Sequence, residues 1–145
     1  MPLNPLSQRL QPVDSLTIDV ITDDVSDAYI SKTIFAVSEF ANIVKGGAKE
    51  ISGETLLLAN LGLGLRLTVE YGGRRRRMLF DTGPEGAVFL RNCKNMGIQL
   101  GDIEHITMTH GHWDHMGALM DTVKAIKADS GDVTVHVNPD MFNPR

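Results

Sequence analysis

Apolar and polar positions alternate along several stretches of the chain, and the period changes between them. Leu16, Ile18 and Val20 alternate with Thr17, Asp19 and, after Ile21, Thr22, which predicts a half-buried strand ending at Asp23-Asp24. Residues 28–45 carry Ile30, Ile34, Val37, Phe40, Ala41 and Val44 at roughly helical spacing, closed by Gly46-Gly47, and predict a helix. Residues 46–64 are glycine-rich and predict a long loop. Leu65 to Tyr71 alternates cleanly, Gly72-Gly73 supplies a turn, and Arg75 to Phe80 returns, so this segment predicts a β-hairpin. Pro84-Glu85-Gly86 opens a helix to about Met96, with Gly97 as its C-terminal cap. Ile103 to Thr109 predicts a buried strand, Gly117 to Ala128 a helix, and Val133 to Val137 a last strand stopped by Pro139. Residues 1–14 are polar and proline-punctuated and predict a flexible lead-in, leaving 15–145 as one domain.

The order is strands, helix, strand, helix, strand. It predicts an α/β (α+β) domain with a mixed sheet flanked by helices. Composition agrees: 145 residues, 42% hydrophobic and 22% charged, suffice for a single core. Cys93 is the sole cysteine, so a disulfide scaffold is excluded; it falls among Phe89, Leu90 and Met96 and reads as a small core residue. The formal net charge of -4 favours neither nucleic acid nor an anionic membrane as partner. Arg74 to Arg77 sits on a strand, where alternate side chains point to opposite faces, and reads as a solvated surface. The best apolar run, Leu56 to Leu65, is far below the ~20 residues of a membrane span. With no signal-like N-terminus and one thiol, a cytoplasmic protein is expected.

The chemistry is concentrated in six residues. His110, His112, Asp114 and His115 follow a predicted strand and precede a helix, so they lie in a loop where ligands of α/β proteins gather. Imidazoles with a carboxylate suit zinc, iron or manganese, and without paired cysteines a closed structural zinc finger is disfavoured. His110 and His112, two apart, can converge on one cation, while Asp114 and His115 continue around the turn and can face a second. Gly111 removes a side chain between the first two. Trp113 reads as a lid or core aromatic beside the site.

Thr109-His110-Gly111-His112-Trp113-Asp114-His115-Met116-Gly117 resembles the T/S-H-x-H-x-D-H-x-G signature of the metallo-β-lactamase superfamily. Leu79-Phe80-Asp81-Thr82-Gly83 resembles that superfamily's first motif, a strand ending in an aspartate. With Gly62-Leu63-Gly64-Leu65, the wording is similar to the subgroup of the methanogen dihydropterin–ribofuranosylaminobenzene phosphate synthase. The resemblance implies a four-layer αββα sandwich, of which this chain supplies the N-terminal half, and two divalent metal ions, zinc before iron or manganese. His110 and His112 would bind the first and Asp114 and His115 the second. Asp81 would orient the loop from behind the ligands. The implied nucleophile is a metal-activated hydroxide, with Asp114 as the catalytic residue that orients it, acting on a small-molecule substrate. The superfamily's oxygen-reducing branch usually carries Glu where His112 stands, so hydrolysis is expected over redox chemistry.

The superfamily's further ligands, two His and a bridging Asp, normally lie well downstream, and only thirty residues follow His115. Among them His136 falls mid-strand and reads as an ordinary sheet residue, Asp121 and Asp129 read as solvated charges, and His105 before the site reads as structural. The chain therefore reads as truncated, with weak, pH-dependent metal binding and self-association through the sheet face that would meet a second half. Three functions stand at this point: a metal-dependent hydrolase in its full-length form, a pterin-phosphate-type transferase, and a non-catalytic fragment.

Overall fold

Strand β1 (Ser15–Thr22) pairs antiparallel with β2 (Gly64–Tyr71), and β2 with β3 (Arg74–Phe80), as the alternation predicts. The computed structural model describes residues 11–26, 34–129 and 131–142. Gly72 and Gly73, at φ 54° and 74°, form the tight hairpin turn, which needs two positive φ values in succession. Asp14 ties onto this turn, its amide reaching Glu70 O at 2.8 Å and its carboxylate accepting from Gly72 N at 2.8 Å. Two parallel strands, β4 (His105–Thr107) and β5 (Thr134–His136), continue the sheet in the order β1-β2-β3-β4-β5.

The two faces of this sheet differ. Asp19, Arg66, Leu79, Ile106 and Val135 are successive register partners and share one face. Helices α2 (Gly86–Asn95) and α4 (Leu119–Asp129) contribute Phe89, Cys93, Leu119 and Ile126 to the core there, and Leu79, Phe89, Ile106 and Ile126 are fully buried. The other face carries Leu16, Ile18, Val20, Leu65, Leu67, Val69, Met78 and Phe80. None of these eight is buried, and the three on β1 are about half exposed. This face is thus apolar across three strands and most open along β1.

Helix α2 ends as its sequence predicts. Gly97 has φ 67°, its amide donates to Lys94 O, and Ile98 N donates to Cys93 O at 2.8 Å, the paired bonds of a Schellman cap. The buried Asn92 side chain donates to Ile21 O and Leu58 O and accepts from Leu58 N, which fixes the glycine-rich segment against β1 and α2. Burial pushes the Cys93 thiol up to about 12. Native protein is therefore expected to be unreactive toward an aromatic disulfide reagent at pH 8 and to release one thiol equivalent on unfolding in urea. The unfolded thiol ionises near its ordinary 9, so this contribution to stability is full below pH 9 and fades as pH rises from about 9 to about 12. Rapid native labelling would contradict the burial.

Two predicted elements change, and two short ones are added. Helix α1 covers only Glu39–Lys45, because Ser38 caps it by accepting from Ala41 N, and Ile34 and Phe35 lie exposed ahead of it; residues 28–33 of the predicted helix lie outside the described residues. Strand β4 is shorter than 103–109, since Ile103 N turns back to Leu100 O and Thr109 N leaves the ladder for a side chain. A short helix, α3 (Trp113–Met116), precedes α4, and a 3₁₀ turn spans Pro139–Phe142. The arginine run is largely ion-paired: Arg75 with Glu70, Arg76 with Glu104 and Arg77 with Asp102. The Arg75 guanidinium holds the Glu70 carboxyl below its usual range. No described helix is long and apolar enough to cross a membrane.

Candidate metal centre

The loop 108–112 leaves the C-terminal end of β4, and α3 carries Asp114 and His115 directly after it. Both are stitched to the end of β3. Asp81 N donates to Thr107 O, Thr82 N to His115 O, and Ala118 N to Gly83 O, at 2.9–3.0 Å. At the centre is Asp81, fully buried and with φ 55°, a left-handed conformation that aspartate adopts more readily than most residues.

The Asp81 carboxylate gathers three donors. Thr109 N reaches Oδ1 at 2.8 Å, Thr109 Oγ1 donates to Oδ2 at 2.7 Å, and His115 Nδ1 lies 2.8 Å from Oδ2. Because the Thr109 hydroxyl proton is committed to Asp81, Thr109 Oγ1 accepts from His110 Nδ1 at 2.9 Å. One carboxylate thereby sets two tautomers, directly at His115 and through Thr109 at His110. A neutral imidazole in either place then carries its proton on Nδ1 and its lone pair on Nε2.

Each Nε2 lies beside a different neighbouring donor. His110 Nε2 lies 3.0 Å from His112 Nδ1, and the His110 ring stands 4.5 Å from His112 and 4.2 Å from His115, centre to centre. His115 Nε2 lies 3.5 Å from Asp114 Oδ2. The gap between His110 and His112 holds one shared proton, and its length is near the ~3.4 Å edge of a tetrahedron with ~2.1 Å metal–nitrogen bonds. A divalent cation therefore fits the donor types and both pair spacings, displacing that proton onto the outer nitrogen of His112. Among the described residues no group of three or more His, Cys, Asp or Glu side chains is arranged to hold one ion.

The structure thus brings His110, His112, Asp114 and His115 together in front of Asp81. Trp113 is 63% exposed and stands beside the site rather than in the core. Sequence reasoning missed Thr109 as a working residue; its place in the signature was the available signal. It missed Gly62 also, at φ 136°, where an added Cβ would lie 1.9 Å from the Asp114 carbonyl oxygen.

Residues 62–136, from β2 through β5, match the family model described as metallo-beta-lactamase superfamily, and the chain belongs to that superfamily. Over 81 residues it is 32% identical to the 7,8-dihydropterin-6-methyl-4-(beta-D-ribofuranosyl)-aminobenzene-5'-phosphate synthase of Methanocaldococcus jannaschii, a match covering 56% of this chain and 26% of that protein. The chain thus spans about a quarter of the length of the curated relative it matches. Among solved structures, the Cronobacter sakazakii metallo-beta-lactamase with a HARLDQ motif is similar at 23% identity and a TM-score of 0.40, covering 53% of this chain and 28% of that one. MIM-1 from Novosphingobium pentaromativorans is similar at 22% identity and 0.35, covering 49% and 24%.

Proposed function

We propose that the protein is a metal-dependent hydrolase acting on a small-molecule substrate, with His110 and His112 holding one divalent ion, zinc before iron or manganese, and Asp114 and His115 a second. The observation that carries this reading is the Asp81 network, which presents the Nε2 lone pairs of His110 and His115 to one loop. A bound divalent metal would supply Lewis acidity and a water that is nucleophilic near neutral pH. The chain's own part is to orient. Asp81 and Thr109 fix the imidazoles, and Asp114, whose carboxylate lies beside His115, positions the attacking water by accepting its hydrogen bond. A reduced, lone Cys93 suits work in the cytoplasm.

A second reading is a pterin-phosphate-type transferase, favoured by the identity to the methanogen synthase. Titration with Co(II), read by its visible ligand-field bands, tests the site common to both. Binding is expected with a tetrahedral signature, and either His110→Ala or His112→Ala is expected to weaken it at least about tenfold. Absence of binding at millimolar Co(II) would overturn the reading. Metal-loaded protein offered an ester, a lactam and a pterin phosphate then separates the activities: turnover of the first two supports the hydrolase, turnover of the pterin phosphate alone the transferase. Bound metal without any turnover would leave a non-catalytic metal-binding fragment.

A further inference from the structure

The last two strands place a second pair of imidazoles on the open face of the sheet. His105 begins β4 and His136 ends β5; the parallel register sets His105 opposite Thr134 and Thr107 opposite His136. Thr107 and His105 point to the same side, so the two histidines are diagonal neighbours on one face. His136 Nε2 lies 3.1 Å from His105 Nδ1, with ring centres 5.1 Å apart and planes at 48°. Both residues are exposed.

A single proton occupies that gap, donated by one ring to the other. The donor ring can carry its proton on its outer nitrogen instead, as the acceptor ring already does, which leaves two lone pairs facing each other across 3.1 Å. That separation falls between the ~2.8 Å cis edge of a square-planar site and the ~3.4 Å edge of a tetrahedral one. The backbone beneath is fixed on both sides, since Met108 N donates to His136 O at 2.9 Å and Thr134 N to Glu104 O at 3.2 Å. Arg76, on the same face, is already engaged by Glu104, which lowers its repulsion of a cation.

We propose that His105 and His136 form a second metal site, separate from the motif loop, that takes a late first-row divalent cation, Cu(II) ahead of Ni(II) and Zn(II). Water or an exogenous ligand fills the remaining positions. Two neutral nitrogens do not select Mg(II) or Ca(II), which require oxygen cages. The preference for Cu(II) follows the general affinity order for nitrogen sites.

The test titrates the His110→Ala/His112→Ala double variant with Cu(II), following electron paramagnetic resonance and the histidine ring NMR signals. The expected result is one site with splitting from two nitrogens, and selective broadening of the His105 and His136 signals at substoichiometric Cu(II). Adding His105→Gln or His136→Gln is expected to lower affinity about tenfold or more, with Zn(II) binding weaker than Cu(II) throughout. If the double variant does not fold, the same NMR titration on the unaltered chain reads the two pairs separately. Uniform broadening across exposed carboxylates, or affinity unchanged by either glutamine, would overturn the proposal.

Discussion

Asp81→Ala is expected to lower unfolding free energy by about 3–5 kcal/mol, because it strands three donors in a buried place and leaves alanine at a positive φ. Asp81→Asn separates fold from function. Asparagine tolerates the left-handed backbone and keeps one acceptor oxygen, so the loss is expected to be only about 1–3 kcal/mol. The backbone Thr109 N–H cannot give up its proton, so the amide oxygen stays on it and the amide nitrogen takes the place of Oδ2, where it meets both the Thr109 hydroxyl and His115 Nδ1 with a second donor. The imidazole must then move its proton to Nε2 and loses the lone pair that faces Asp114. The Asn variant is therefore expected to unfold cooperatively in urea, to show the reversed His115 tautomer by ¹⁵N NMR, and to bind Co(II) at least about tenfold more weakly. A native tautomer and unaltered Co(II) affinity in this variant would refute the role given to Asp81.

Gly62→Ala carries the next largest effect. At φ 136° only glycine is comfortable, and the new Cβ would fall 1.9 Å from Asp114 O, a backbone atom that cannot swing aside. Strain and overlap together are expected to cost about 3 kcal/mol and to push α3 away from β3. Gly47→Ala is the control: its φ of 103° is also strained, yet nothing lies within 4 Å, so it is expected to cost about 1 kcal/mol and leave the motif loop undisturbed. Thermal unfolding gives the two losses. Amide shifts over residues 110–117 should move in the Gly62 variant alone; equal effects from both variants would show that the close approach to Asp114 is not what matters.

Much of the sheet was legible because its signals are local. Alternation located β1, the two glycines located the hairpin, and Pro84 with Gly97 bracketed α2. The failures share a cause. Strand β4 stops early because Thr109 N bonds a carboxylate 28 residues away, and no local pattern records that diversion. Helix α1 starts late because Ser38 competes as a cap against β-branched residues that fill a helical period but resist a helix. At the site, the spacing of His110, His112, Asp114 and His115 announced the donor types. The relay from Asp81 through Thr109 depends on β3 lying beside β4, which is tertiary. His105 and His136 each read as an ordinary strand residue, and only the register of β4 on β5 makes them a pair.

The strand order, which follows the order of the chain, also bears on how the protein is made. A ribosome delivers β1, β2 and β3 first, and they can close into an antiparallel meander while the rest is unsynthesised. Asp81 then stands at the end of a finished strand before Thr109 and His115 have emerged. Each later strand adds to an edge already built, and no earlier strand must be displaced to admit it. The histidine loop thus emerges to meet an anchor strand that is already in place.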